Sequence, residues 1–162
     1  MIVVVLIGII MAITLPAGRD LILQSRLTTQ ANALVSDILY ARNEAATQGL
    51  SMVICPSTNA TNCSLAAADW SVNRFIFVDT DGDGNKNGAE NNLKLASALP
   101  KSMTLVPSGF DSTTRIRFNS TGGIVPLGSS GSFKLCATDA AMGRQISIGI
   151  NGRPSTSKVA CP

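Results

Sequence analysis

The chain contains no histidine. This removes the commonest general base and the commonest transition-metal ligand together. Aromatic residues make up only 4%, so any core must rest on aliphatic side chains. There is no serine elbow, no phosphate-binding glycine loop and no free-cysteine context for a nucleophile. Carboxylates cluster in one loop only. An enzyme is therefore set aside, and the reading turns to binding and structural roles.

What is present begins at the N-terminus. Residues 1–18 carry no charge, and about 17 to 25 apolar residues span a bilayer. A cleaved signal peptide would need a basic stretch ahead of this run; none precedes it, and the run flows into a helical pattern without a loop, so it is expected to be retained. Gly8 and Pro16 lie within it, and both weaken a helix, proline usually by kinking it. Beyond Arg19 and Asp20 the pattern becomes one-sided. Leu27, Ala31, Leu34, Ile38, Ala41 and Ala45 recur at helical spacing and line one face, with Arg26, Gln30, Asp37 and Glu44 to one side. Gly49 supplies the left-handed residue that ends a helix. At 162 residues, the chain reads as a stalk (1–20, a transmembrane half of the helix) and one globular domain (21–162, helical to about 49).

Four cysteines, Cys55, Cys63, Cys136 and Cys161, lie outside the apolar run. An even count suits an oxidising compartment and two disulfides. Three connectivities are open, and local closure favours Cys55–Cys63 with Cys136–Cys161. A four-cysteine zinc site is the rival, but no pair has the C-x2-C spacing such sites usually show.

Net charge is +3 and unevenly spread. Residues 51–100 hold three basic and five acidic side chains, whereas residues 101–162 hold seven basic against Asp111 and Asp139. A basic C-terminal third can meet phosphate or an acidic partner, or simply form a soluble surface.

Segments 50–55, 74–79 and 133–136 read as strands. In Arg115-Ile-Arg-Phe-Asn119 the basic residues face one side, and Ile116 and Phe118 the other. Ile146, Ile148 and Ile150 alternate with Gln145, Ser147 and Gly149. Such alternation marks half-buried antiparallel strands, whose natural cover is the Leu27-to-Ala45 stripe. Gly122-Gly123, Gly128 and Gly131 mark turns. The single tryptophan, Trp70, reads as a core or disulfide-packing residue. The fold class is α+β, a long helix packed on antiparallel sheet.

Residues 79–90 fit the calcium-loop pattern D-x-D-x-D-G-x5-E. Calcium takes six to eight oxygens, and Asp79, Asp81, Asp83, Asn85 and Asn87 alternate as such loops require. Gly84 permits the sharp turn, and Glu90 can supply two oxygens. The flanks are not those of an EF-hand, because a strand precedes the loop, and Asp, Gly and Asn are also ordinary turn residues.

The uncharged run with a glycine, then a proline eight residues on, then an amphipathic helix, is similar to the N-terminus of type IV pilins and type II secretion pseudopilins. In that family a phenylalanine at the mature start and a glutamate soon after precede the apolar run. This sequence begins downstream of where they would lie, so it is expected to be a trimmed form. Ala41-Arg42-Asn43-Glu44-Ala45 resembles the A-R-x-E-A signature of the GspH/FimT family, and Asn151-Gly152-Arg153 resembles its closing Gly-Arg. The likeness runs in order over nearly the whole chain. It implies the type IV pilin fold, anchoring in the bacterial inner membrane with a periplasmic domain, and later incorporation into a surface pilus among minor and major pilins. It also implies a minor pilin that helps prime assembly, or a type II secretion pseudopilin. Some FimT-like members bind DNA through a C-terminal Gly-Arg-x-Arg motif. Here Gly152-Arg153-Pro154-Ser155 keeps the first arginine and has serine for the second. Arg153, Lys158, Arg144, Arg115, Arg117 and Lys134 remain as possible phosphate contacts, with no aromatic platform beside them.

Overall fold

A computed structural model describes residues 2–59, 61–64, 69–88, 90–126 and 128–161, with only the backbone described for helix residues 2–19. Helix α1 runs without interruption over Ile2–Gln48, through Gly8 and Pro16. At 1.5 Å per residue its 47 residues extend about 70 Å. The expected end is observed: Gly49 has φ 67°, and its N–H donates to the Ala45 carbonyl at 3.0 Å, closing the last turn.

Among the described residues nine strands follow: β1 Ser51–Ser57, β2 Asn73–Asp79, β3 Asn92–Ala96, β4 Met103–Ser108, β5 Ile116–Phe118, β6 Ile124–Val125, β7 Gly131–Ala137, β8 Met142–Ile148 and β9 Pro154–Ala160. They form two antiparallel sheets rather than one. The first has the order β3-β2-β1-β5-β6 and the second β4-β7-β8-β9. The helix packs on β1 and β5 of the first sheet and on β7, β8 and β9 of the second. This α+β arrangement is the one the patterning predicts, with the sheet divided.

The stripe is the seam. Leu27, Ala31, Leu34, Ile38, Ala41 and Ala45 are all at most 2% exposed. Its three alanines let the helix backbone come close to the strands, while Leu27, Leu34 and Ile38 fill the space between them. Each fully buried leucine or isoleucine contributes about 1.5–3 kcal/mol. Across the seam lie Met52, Ile54, Ile116, Phe118, Phe133, Leu135, Ile146 and Ile148, in one continuous cluster. Trp70 belongs to this core: its ring meets Phe133 edge-on at 4.7 Å, and its indole N–H donates to the Thr113 carbonyl at 2.7 Å. The opposite face of the first sheet holds a smaller cluster of Val53, Cys55, Phe75 and Phe77, with Cys63 packed on it. Strands β1 and β2 are therefore buried on both faces.

One expected strand is shorter than its pattern. Ile150 continues the alternation of Ile146 and Ile148 but is 59% exposed. The chain leaves β8 after Ile148 and turns, with Gly152 N–H donating to the Gly149 carbonyl at 2.8 Å. Turn geometry ends the strand one apolar residue early.

Asp37 also departs from its neighbours. Arg26 is exposed and Gln30 and Glu44 are half-buried, but Asp37 is only 4% exposed. The first sheet covers it: Lys94 Nζ of β3 lies 2.8 Å from Oδ1 and Arg74 Nη2 of β2 lies 3.6 Å from Oδ2. Arg74 Nη1 donates to the Trp70 carbonyl at 3.2 Å, while Nε has no partner among the described residues. Burial lowers the Arg74 pKa, and the charge and hydrogen bonding of Asp37 oppose that shift. A buried cation left without its anion is strongly destabilising, whereas replacing the whole pair with apolar groups is often neutral. Asp37→Ala is therefore expected to lose about 3–5 kcal/mol in denaturant unfolding of the full chain in detergent, and Asp37→Leu with Arg74→Met to recover most of it. Equal losses in the two variants would show that the pair carries no such coupling.

Candidate functional site

Three features were singled out by sequence: the acidic loop, the basic C-terminal residues and the cysteines. The acidic loop connects β2 to β3. Asp79 ends β2 opposite Ser51 of β1, and Val78 N–H donates to the Asn91 carbonyl at 3.1 Å, so the loop's two ends are held together. Asp79, Asp81 and Asp83 each bring one carboxylate oxygen within 4.8 Å of the others. Asp79 is 2% exposed; its Oδ1 accepts from the Gly84 N–H at 3.2 Å, and its Oδ2 is buried without a partner among the described residues. Asp81 Oδ1 accepts from the Asp83 N–H at 3.1 Å, and Asp83 Oδ1 accepts from the Asn85 N–H at 2.6 Å. Gly84, at φ 73°, makes the reversal between them.

The other three residues of the pattern are engaged within the loop: Glu90 on its backbone, and the amides of Asn85 and Asn87 on the trio itself. Glu90 is buried and uses both oxygens on the loop backbone: Oε1 accepts from Thr80 N–H at 2.8 Å and Oε2 from Asn87 N–H at 2.9 Å. Asn85 Oδ1 accepts from Arg115 Nη1, while its Nδ2 donates to Asp83 Oδ2 at 3.1 Å. Asn87 Nδ2 donates to Asp81 Oδ2 at 2.6 Å. The sequence pattern thus resolves into a trio of carboxylates and a clamp. Burial pushes the Asp79 carboxyl pKa up, opposed by the Gly84 N–H and the Arg117 charge, with Glu90 and Asp81 adding to the rise. Asp83 moves the other way, held down first by the Asn85 backbone N–H and then by its side-chain amide.

The alternation of 115–119 is observed, and it explains where two of the basic residues go. Ile116 and Phe118 are buried. Arg115 Nη1 donates to the Gly84 carbonyl at 2.7 Å and Arg117 Nη1 to the Gly82 carbonyl at 2.6 Å. Both arginines therefore brace the acidic loop from β5, across β1. Arg144 is engaged too: its guanidinium donates to Gln24 Oε1 at 2.9 Å and Thr28 Oγ1 at 3.0 Å, tying β8 to the helix. Lys134 is half-buried opposite Gln145. Arg153 and Lys158 are exposed but lie five residues apart along an extended strand, about 17 Å at strand rise. The structure therefore sets Lys158 directly opposite Arg144 across β8 and β9 and Arg115 beside Arg117 on the acidic loop, while Arg153, just ahead of β9, stands apart from both pairs.

The cysteines form two bridges, Cys55–Cys63 and Cys136–Cys161, and none is free. The first anchors the loop after β1, and the second ties the residue after β9 to β7, across β8. Gly143 of β8 sits under the second bridge, where a Cβ would lie 2.7 Å from Cys161 Sγ and 2.2 Å from the Leu135 carbonyl oxygen.

One meeting of residues was not foreseen. Arg42 of the helix signature lies over the turn that contains Gly152. Its Nε donates to the Asn151 carbonyl at 3.1 Å, and its stem packs on Gly122 and Gly152. Two motifs 109 residues apart in sequence thus form one contact. The signal available in the sequence was Gly122 and Gly152 themselves, since a close approach of backbone needs positions without a side chain.

Three comparisons bear on this architecture. The family model described as "Type II transport protein GspH" matches residues 30–152. Comparison with curated proteins finds no match. The fold is similar to the crystal structure of the type IV minor pilin FimU of Pseudomonas aeruginosa strain PAO1, with TM-score 0.63 and 22% identity over 83% of this chain and 90% of that one. It is also similar to the minor pseudopilin EpsH of the Vibrio cholerae type 2 secretion system, with TM-score 0.55 and 9% identity over 83% of this chain and 97% of that one.

The Arg42 contact leads to a testable expectation. Gly152 has φ 72°, and a Cβ there would meet the Gly122 carbonyl oxygen at 2.2 Å. Gly152→Ala should cost about 1–3 kcal/mol or more in stability, read as a lowered Tm. Gly88→Ala, where a Cβ meets nothing within 4 Å, should leave Tm nearly unchanged. Equal behaviour of the two variants would remove the argument that this seam is closely packed.

Proposed function

We propose a role that begins from kinship: the chain belongs to the GspH family, and it serves as a minor pilin that joins a type IV pilus and helps prime its assembly. Membership makes it a pilin-type subunit that interacts with other pilins. The observation that carries the finer reading is the division of one helix into two working halves. From Leu27 to Ala45 the apolar stripe is sealed onto the sheets. Ahead of it, Leu21 and Ile22 are 73% and 58% exposed, and the uncharged run occupies residues 1–18, ahead of the first described side chain. Among the described residues no helix is long and apolar enough to cross a membrane; the anchor expected at 1–20 lies almost wholly outside the described side chains. In this reading the run sits in the inner membrane while the domain folds in the periplasm, where disulfides persist. It then packs against the helices of neighbouring subunits, burying apolar surface as it leaves the lipid.

The greater likeness to the pilus protein than to the secretion protein supports a type IV pilus as the filament. Nucleic-acid binding is the weaker reading: Arg115, Arg117 and Arg144 are engaged within the fold, so the exposed Lys158 opposite Arg144 and the more distant Arg153 are what remain for phosphate.

The anchor and the filament are tested together. A charge at the centre of a spanning helix costs about 2.5–3.5 kcal/mol, so Ile10→Arg should shift the chain out of the membrane fraction and out of sheared pili. Removing the chain from its host should reduce surface pili and leave type II secretion intact. Loss of secretion with normal piliation would assign the chain to the secretion filament instead.

A further inference from the structure

The β2–β3 loop holds an arrangement that a filament subunit does not need for its helix contacts. Three carboxylates face one another, and one of them, Asp79, is buried. Its Oδ1 is fixed by the Gly84 N–H, which leaves Oδ2 as the free acceptor; among the described residues that oxygen has no partner. A buried anionic oxygen without a partner is costly, so the environment is incomplete as a protein-only structure.

The neighbouring cations do not complete it. Arg115 and Arg117 donate to the Gly84 and Gly82 carbonyls. Lys86 Nζ donates to the carbonyls of Asn87 and Glu90. Among the described residues, the only carboxylate ion-paired within 4.0 Å is Asp37, far from this loop in sequence. Three positive side chains thus donate to the loop's carbonyls and to Asn85, and among the described residues none lies within 4.0 Å of a carboxylate of the trio.

The spacing suits one ion. Calcium–oxygen bonds are about 2.3–2.6 Å, so ligands on opposite sides of the ion lie about 5 Å apart. The three oxygens, mutually within 4.8 Å, fit inside that limit. An all-oxygen, carboxylate-rich set on a turning loop selects a hard cation, and flexible coordination favours calcium over magnesium, which demands near-ideal octahedral geometry and gives up water reluctantly.

We infer that the loop binds one Ca2+ through the carboxylates of Asp79, Asp81 and Asp83, with water completing the coordination. Asp79 Oδ2 is the inner ligand, and Asp81 and Asp83, both exposed, close over the ion from outside. Glu90 is the clamp: it holds the Thr80 and Asn87 N–H groups and sets the loop's shape without contributing an oxygen. A ligand set smaller than the twelve-residue pattern allows gives weak binding, about 10⁻⁴–10⁻³ M, the range of extracellular calcium modules.

The test is calorimetric titration of the full chain in detergent with CaCl2 and, separately, MgCl2, alongside Tm in chelator and in about 2 mM of each salt. The expected results are one site per chain, a higher Tm in calcium, and a smaller or absent effect of magnesium. Asp81→Asn should weaken calcium binding about tenfold or more while keeping the far-ultraviolet spectrum of the parent. Asp139→Asn, at an exposed carboxylate in the β7–β8 turn, should bind as the parent does. Absence of binding at millimolar calcium by the folded chain would overturn the inference. So would equal responses to the two metals, or unaltered binding by Asp81→Asn.

Discussion

No strand of one sheet pairs with a strand of the other among the described residues; the helix seam is the largest element that covers both and buries them in one cluster. Six side chains from Leu27 to Ala45 touch both sheets' inner faces through a single cluster. The seam works because large and small residues are distributed along it, so that alanines set the distance and leucine and isoleucine fill it. Dispersion and the hydrophobic effect reward close contact without directing it. Direction comes from a few polar links set beside the seam.

Those links are spaced along the helix. Gln24 and Thr28 meet Arg144 of β8, Asp37 meets Arg74 and Lys94 of β2 and β3, and Arg42 meets the turn after β8. Each joins the helix to a different part of the sheets. Sliding the helix by one turn would keep apolar residues against apolar residues, but it would separate every one of these partners. A register fixed in this way accounts for the buried pair of Asp37 and Arg74, which apolar residues at both positions could otherwise replace at little cost.

Much of this was readable in the sequence, and the reasons are local. The helix stripe, the closing Gly49 and the alternation at 115–119 are patterns set by the period of one element. Strands β4 and β9 were not found because both are edge strands: β4 carries Pro107 within it, and β9 is a polar run that opens on Pro154. Asp37 looked like a surface residue because its burial depends on β3, far away in sequence. The same holds for the acidic loop. The pattern identified six candidate ligands from spacing alone, but spacing says nothing of Arg115 drawing Asn85 aside, or of Glu90 turning to its own loop's N–H groups. Chemistry that depends on neighbours across a sheet becomes visible only when the sheet is built.

The row of links along the helix has a mechanical meaning as well. A pull directed along α1 does not peel the domain open at one end, because the ties near Gln24, Asp37 and Arg42 lie roughly in line with the force. They are loaded in shear and share the tension with the apolar seam, so that rupture requires many contacts to fail at once. Where the chain leaves β9, the Cys136–Cys161 bridge gives the far edge of the second sheet a covalent stop against unzipping. A stalked domain fastened in this manner is suited to bearing load along its own axis.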